Sequence, residues 1–311
     1  MKKKISIIFS FYNEEKNIKN SVVQIIRELK KFKKLDYELI YVNDCSTDNS
    51  LKKILSERKK NKKIKIINLS RRFGHMPGIM AGLKNCTGDA AIYLDIDLQD
   101  PPKVMSKMIS FWIRDNYDVV FSTRRNRKDS VFMKTLSKVG YYILEKTTYI
   151  NVSKDSGDFR LISRRVINEY IKFNEINPFF RFITDFIGFK KKQIFYDRDK
   201  RSHGKSNFNL YQIFYQFFEI SMMPFSNFPL RFALIFGFFA FFVCLIILLR
   251  TLYLHFSGVT DISTTSIFVA ILIFGSIQSL IVGLLSIYIG SIYMETKKRP
   301  IYIIDRKFGF K

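Results

Sequence analysis

The chain has 311 residues, enough for one sizeable soluble domain and further segments, and its formal net charge at pH 7 is +25. That balance favours anionic partners (phosphorylated substrates, an acidic membrane surface or nucleic acid) without choosing among them. Cys45, Cys86 and Cys244 have neither paired nor metal-ligand spacing, which argues against a disulfide framework or a zinc site and agrees with a reducing, cytoplasmic setting.

Met1-Lys2-Lys3-Lys4 precedes a short apolar stretch that carries Ser6 and Ser10 and ends at Asn13-Glu14-Glu15. With no small-residue cleavage site, it reads as a first strand over Ile5–Phe11 rather than a signal peptide. Ile18, Val22, Ile25, Ile26, Leu29 and Phe32 then fall on one face at helical spacing. Glu38–Val42 predicts a second strand and Ser50–Glu57 the start of a second helix. Lys65–Leu69 predicts a third strand, followed by a helix over Met76–Leu83 closed near Gly88. Ala90–Leu94 is the fourth strand. A helix from Pro102 follows, with Val104, Met105, Met108, Ile109 and Trp112 inward, and a fifth strand lies near Asp118–Phe121. This alternation predicts an α/β fold with a mostly parallel sheet covered on both faces.

Three strand-end loops carry polar residues: Tyr12-Asn13-Glu14-Glu15, Asn43-Asp44-Cys45-Ser46-Thr47-Asp48, and the loop holding Asp95 and Asp97. Ligands of open α/β sheets bind beyond the carboxyl ends of the strands, so together these loops outline a nucleotide pocket. Each taken alone serves equally well as a helix cap. Asp95 and Asp97 end a buried strand and are followed by Pro101-Pro102. Carboxylates are hard oxygen ligands suited to Mg²⁺ or Mn²⁺ shared with substrate phosphates. No glycine-rich dinucleotide fingerprint and no phosphate loop ending in Gly-Lys-Ser/Thr is present.

The C-terminal third changes character. Phe232–Leu249 is an apolar run of about 18 residues, the length of a membrane-spanning helix, and a second span covers roughly Ile267 to Tyr293. Gly275, Gly283 and Gly290 in that span suit close helix packing, or simply the frequency of glycine in membrane helices. Lys and Arg are dense before the first span, Lys297-Lys298-Arg299 follow the second, and Thr251–Thr265 between them has neither. The positive-inside rule therefore places both termini in the cytoplasm. Val131–Leu144 and Leu210–Met223 are amphipathic and aromatic, readable as core helices or as membrane-surface helices.

Several motifs occur in a shared order: Ile8-Phe9-Ser10-Phe11-Tyr12-Asn13-Glu14-Glu15, Asn43-Asp44-Cys45-Ser46-Thr47-Asp48, Asp95-Ile96-Asp97-Leu98-Gln99-Asp100-Pro101-Pro102, Ser156-Gly157-Asp158-Phe159-Arg160-Leu161, and the Arg198…Arg201…Gly204-Lys205-Ser206 run. In these the chain resembles the family 2, GT-A type glycosyltransferases that load a sugar onto a polyprenyl phosphate. Dolichyl-phosphate mannose synthases and bacterial undecaprenyl-phosphate glucosyltransferases are of this kind. The resemblance implies a cytoplasmic GT-A (Rossmann-like) domain over 1–208, with 131–145 a candidate membrane-surface helix. It further implies a juxtamembrane amphipathic helix over 209–228, a two-helix transmembrane hairpin over 229–294 and a cytoplasmic basic tail over 295–311.

The same resemblance implies that Tyr12, Glu14, Asp44, Asp95 and Arg160 contact the nucleotide sugar. Asp95 and Asp97, with Gln99 near, would hold Mg²⁺ or Mn²⁺. Arg124, Arg127, Lys134 and Ser137 would receive the lipid phosphate. Asp158, Asp97 and Arg201 would be catalytic, with Arg198–Phe208 a lid. The bland alternative for Asp158 is an ion pair with Arg160. Ser10, Cys45, Arg72 and Asn207-Phe208 depart from the family pattern and bear on the sugar and nucleotide.

The expected reaction is attack of a lipid-phosphate oxygen on the anomeric carbon of a nucleotide sugar, with inversion and loss of a nucleoside diphosphate. UDP-glucose is the leading donor; GDP-mannose, UDP-galactose, UDP-N-acetylhexosamine and UDP-aminoarabinose stay open. The expected partners are the donor, polyprenyl phosphate and the membrane. No nucleic acid is expected, and homo-oligomerisation is left open. The rival readings are weaker. A processive polysaccharide synthase lacks its Gln-x-x-Arg-Trp motif here, since the lone Trp112 has no such context. A flippase needs more than two spans. A non-enzymatic membrane-tethered binder of anionic partners explains the charge but not the carboxylates at strand ends.

Overall fold

β1 (Lys4–Phe11) forms the axis of an eight-stranded sheet in the computed structural model, with strand order β7-β5-β6-β4-β1-β2-β3-β8. The described residues are 2–125, 131–148, 153, 156–173, 175, 180–197, 223–257 and 264–310. They fall into two units. One comprises Met1–Ile143, Ile150–Ile213 and Arg299–Lys311; the other comprises Leu144–Tyr149 and Phe214–Lys298.

In the first unit, β1 pairs in parallel with β2 (Asp36–Asn43) on one side and β4 (Ala90–Tyr93) on the other, and β2 pairs in parallel with β3 (Ile64–Leu69). The expected parallel sheet is its centre. The flanks make it mixed. β6 (Ser156–Ser163) runs antiparallel to both β4 and β5 (Val119–Arg124), β7 (Lys191–Tyr196) is parallel to β5, and β8 (Ile304–Phe308) is antiparallel to β3. The strand order reverses between β1 and β4, which creates a crevice at their carboxyl ends.

Helices cover both faces. α1 (Ile18–Leu29) buries Ile18, Val22, Ile25 and Leu29, and α4 (Pro102–Asp115) buries Met105, Met108 and Trp112, in one cluster with Ile5, Ile7, Phe9 and Phe11 of β1. Pro102 opens α4, where its fixed φ and missing N–H cost nothing. α2 (Ser50–Lys60) follows β2, and α6 (Arg164–Tyr170) follows β6. On the opposite face α3 (His75–Asn85) lies almost in contact with β1. A Cβ at Gly78 would come within 2.0 Å of Ser10 Oγ, and one at Gly82 within 2.3 Å of Ile8 Cγ2. Only glycine permits this approach, which fixes the N-terminal residue of α3, His75, beside the crevice.

At the amino end of the sheet, Glu38 is buried and ties three strands together. Its carboxylate accepts from Ser6 Oγ (2.6 Å) and the Thr87 N–H (2.6 Å), and meets Lys65 Nζ (2.7 Å) and Lys4 Nζ (3.1 Å). Burial pushes its pKa up, but Lys65, Ser6 and Thr87 outweigh burial and bring it to about 2.

The stretch 295–311 contributes β8 to the first unit's sheet: Ser70 N–H donates to Ile303 O (3.0 Å) and Lys307 Nζ to Asn85 Oδ1 (2.7 Å). In the second unit, apolar helices run over Phe228–Phe256 and Thr264–Thr296. They contain candidate membrane spans of 27 residues (Phe228–Leu254) and 26 residues (Ile271–Thr296). Phe239 and Leu280 are 65% and 72% exposed, so these are not buried core helices of a soluble domain. No atom lies within 4 Å of a Cβ built at Gly275, Gly283 or Gly290, so among the described residues these glycines do not mediate close helix contact. α5 (Val131–Thr147) exposes Val139 and Tyr142. The amphipathic stretch 210–222 lies outside the described residues.

Because the folded pKa of Glu38 lies below the ordinary value of 4.5, its stabilisation is fully present above pH 4.5 and is lost as pH falls towards about 2. Glu38→Gln is expected to cost about 2 kcal/mol at pH 6, after discounting for solvent screening of the lysines. The gap in thermal unfolding midpoint between wild type and Glu38→Gln should shrink steadily as the measurement is moved from pH 6 to pH 3.

Candidate active site

Three parallel strands end in left-handed turns at the crevice: Asn13 has φ 55°, Cys45 φ 56° and Leu98 φ 53°. Each turn redirects the chain sharply, so the residues around it line a common hollow. The cavity is about 530 Å³, and its wall includes Tyr12, Glu14, Asp44, Asp95 and Asp97. That volume lies within the range of small-molecule sites.

Asp44, though nearly buried, has a backbone task as well. Its carboxylate accepts the Phe73 N–H (2.7 Å) and the Gly74 N–H (2.9 Å), and its own N–H donates to Phe11 O (2.9 Å). It therefore staples the ends of β1 and β2 to the start of α3. Glu14 is oriented by Asn17 Nδ2, which donates to Oε2 (2.6 Å), and its N–H donates to Ser50 Oγ (2.9 Å). The Arg72 guanidinium lies 4.2 Å from the Tyr12 ring centroid, a cation stacked at the wall of an otherwise acidic cavity.

The buried Tyr93 OH donates to the cavity-lining Asp95 Oδ1 (2.7 Å), and a His75 ring nitrogen lies 2.9 Å from the same hydroxyl. Since the Tyr93 proton goes to Asp95, the His75 ring N–H is the donor to Tyr93. Burial and the adjacent Asp95 charge push the Tyr93 hydroxyl pKa well above its usual value, so it stays a donor. Asp97 Oδ1 accepts the Gln99 N–H (3.2 Å). Gln99 thus acts on the site through its backbone; its side chain is buried and does not line the cavity.

Asp158, at the edge where β6 begins, receives Arg181 Nε of α7 (Phe180–Ile187) at 3.0 Å. Burial would raise its pKa, but the charges of Arg181, His75 and Arg160 bring it below the ordinary carboxylate value. The ion partner is Arg181, rather than the Arg160 of the bland alternative. Arg160 is 1% exposed and sits inside the fold rather than on the cavity wall. It donates to Gly157 O (3.0 Å) and to the Thr184 hydroxyl, with Phe180 and Phe121 beneath it. Its place is as a brace for β6 and α7.

Arg124, at the end of β5, is half-buried and donates to Tyr196 OH (3.4 Å), which in turn donates to Asp100. Burial and Asp100 raise the Tyr196 pKa to about 12. Ser137 lies half-buried on α5. Arg127, Arg201, the segment 198–208 and the side chain of Lys134 lie outside the described residues.

The sequence profile described as "Glycosyl transferase family 2" matches residues 6–171, more than half of the chain. This chain belongs to glycosyl transferase family 2. An uncharacterized glycosyltransferase, YkcC, of Bacillus subtilis is 35% identical over 98% of this chain and 94% of its own length. A prophage bactoprenol glucosyl transferase homolog of Escherichia coli is 33% identical over 97% of this chain and 99% of its own. The bactoprenol glucosyl transferase of Shigella phage SfX is 31% identical over 98% and 99%. The similarity thus runs through the glycosyltransferase domain and both apolar helices. The fold is the GT-A type mixed α/β sheet followed by two candidate membrane-spanning helices.

Within this glycosyltransferase the structure brings Tyr12, Glu14, Asp44, Asp95 and Asp97 together and adds residues the sequence did not single out. Tyr93 could have been found from strand periodicity, since two residues before Asp95 it shares a face with it. His75 and Arg181 carry no local signal; their contacts follow from the packing of α3 and α7.

Tyr93→Phe removes the one hydroxyl that orients Asp95 while keeping the ring in place. It should lower kcat/KM for glycosyl transfer by about tenfold, the value of one hydrogen bond to a charged group. Unchanged steady-state kinetics in a normally folded Tyr93→Phe protein would remove Tyr93 from the site.

Proposed function

We propose that the protein transfers glucose from UDP-glucose to undecaprenyl phosphate at the cytoplasmic face of the plasma membrane, giving a polyprenyl-phosphate sugar for modification of cell-envelope glycans. The observation that carries this reading is the pairing of a carboxylate-floored cavity at the β1/β4 switch point with two long, exposed apolar helices. The bactoprenol glucosyl transferases that match nearly the whole chain support both the sugar and the lipid.

Tyr12, Glu14 and Asp44 hold the nucleoside, at the ends of β1 and β2. Asp95 and Asp97 suit a divalent cation, Mg²⁺ or Mn²⁺, by their chemistry: two hard carboxylates on one cavity wall. No cluster of three or more His, Cys, Asp or Glu ligands exists among the described residues. A site with so few protein ligands fits an ion that fills its shell with substrate phosphate oxygens. Bound there, such an ion neutralises the charge gathering on the departing diphosphate.

A phosphate monoester has a second pKa near 6, so the acceptor oxygen is already ionised at neutral pH and needs no strong base. Asp158 agrees with this: with its pKa held low by Arg181, His75 and Arg160, it is a poor proton acceptor and serves to orient. Arg124 receives the acceptor phosphate in this reading, helped by Ser137, Lys134 and Arg127; its position beside Asp100 and Tyr196 at the end of β5 supports that role. Arg201 completes the charge balance around the diphosphate. A single direct displacement inverts the anomeric centre.

The membrane orientation has topological support. β8 follows the second apolar helix yet joins the sheet formed before the first. A chain that returns to the side it left is what a two-helix hairpin requires, and the Lys/Arg-rich flanks support the cytoplasm as that side. The exposed apolar residues of α5 fit contact with the headgroup layer.

Labelled UDP- and GDP-sugars offered with undecaprenyl phosphate in detergent should give one lipid-phosphate sugar from UDP-glucose in the presence of Mg²⁺ or Mn²⁺. EDTA should abolish transfer, and Asp97→Ala should lower it by at least about a hundredfold. Product from a different donor would correct the sugar. No product from any donor, with nucleotide binding intact, would reject the lipid acceptor.

A further inference from the structure

The last strand reaches the cavity through a line of hydrogen bonds that crosses β8, β3 and β2 and ends in the loop after β1. In the β3–β8 ladder Asn68 faces Arg306 and Leu69 faces Ile304, so Asp305 is the extra residue of a bulge. Bulges re-aim side chains, commonly beside functional sites. Here the Asp305 carboxylate accepts from Asn68 Nδ2 (3.0 Å), and Arg306 Nε is 3.7 Å from the same oxygen. Asn68 Oδ1 accepts from Asn43 Nδ2 (2.6 Å), and Asn43 Oδ1 accepts the Ser46 N–H (3.3 Å). Ser46 Oγ then accepts the Asn13 N–H (3.0 Å), and Asn13 Oδ1 accepts the Thr47 N–H (2.9 Å). Asn13 sits between Tyr12 and Glu14, and Asn43 directly precedes Asp44; those three neighbours line the cavity.

The direction of this line is set at its far end. An amide side chain can present either its oxygen or its NH₂ to a neighbour, whereas an ionised carboxylate only accepts. Asp305 therefore compels Asn68 to turn its NH₂ outward and its oxygen to Asn43. Asn43, 1% exposed, must then turn its own oxygen to the Ser46 N–H. Were Asn68 to flip, either two NH₂ groups would face each other inside the sheet, or Asn43 would flip with it and Ser46 would lose its acceptor. That penalty falls on the loop that carries Asp44.

We propose that Asp305 is a positioning residue for the nucleotide pocket, holding the Asn13–Glu14 and Asp44–Ser46 loops in register through Asn68 and Asn43. The inference rests on the nucleoside-diphosphate reading of that pocket given above. It assigns the segment after the hairpin a part in donor binding beyond that of a basic tail.

The test measures UDP affinity with Mn²⁺ by calorimetry on the full chain in detergent, alongside donor KM and kcat. Asp305→Ala should weaken UDP about fivefold and raise donor KM similarly with kcat little changed. Asp305→Asn, whose amide oxygen can take the same bond, should restore affinity to within about twofold of wild type. Lys307→Ala removes another tie of the same strand, to Asn85, and should leave UDP affinity unchanged whatever it does to the unfolding temperature. Wild-type affinity in Asp305→Ala would overturn the proposal. So would an equal loss in Lys307→Ala, because strand docking alone would then explain the effect. Failure of the wild-type protein to bind any nucleoside diphosphate would instead overturn the reading of the pocket on which the proposal stands.

Discussion

Everything in the first unit depends on the parallel alignment of β4, β1, β2 and β3. Parallel pairing sends successive carboxyl ends to one edge, and the reversal of strand order between β1 and β4 opens that edge into a crevice. The register is held from the other side. Glu38, paired with Lys65 and Lys4 and bonded to Ser6 and Thr87, locks the amino ends of β1, β2 and β3 and the turn into β4. Glycines at positions 78 and 82 let α3 lie against β1 closely enough to bring His75 to Tyr93. The chemical groups at the crevice are thus half-buried or buried loop residues mounted on a tightly specified frame.

The electrostatics invert the sign of the chain as a whole. A protein with a net charge of +25 gathers Glu14, Asp44, Asp95 and Asp97 around one cavity, which Arg72 also lines. Such concentration of like charge is costly unless each acid is held by donors. Asp44 has two backbone N–H groups, Asp95 the Tyr93 hydroxyl, and Asp97 the Gln99 N–H. The acids are therefore held in place by the protein's own donors.

The central strands and α1 to α4 were legible in the sequence, because strands buried on both faces read as apolar runs and the helices carry strong periodicity. The carboxylates were legible because they stand at strand ends. The flanking strands were not. β7 alternates exposed lysine and glutamine with buried Ile194 and Tyr196, and β8, Ile304-Asp305-Arg306-Lys307-Phe308, carries charges at its three central positions. An edge strand needs few apolar residues, and charges there discourage wrong pairing, so its signal is weak by construction. Its partner β3 also lies more than 230 residues earlier, as the Asn68–Asp305 bond illustrates with a separation of 237. Arg181 was missed for a related reason: its tie to Asp158 exists only because α7 packs against β6.

Translation gives the position of β8 a temporal meaning. A ribosome delivers the sheet first, then the apolar hairpin, and only last the residues that close the β3 edge. Until the residues after the second apolar helix are made, the N-terminal strands stand with an open β3 edge and with Asn68 lacking its carboxylate. The sheet reaches its final form only after both apolar helices have been synthesised, so completion of the domain is ordered behind that of the helical segment.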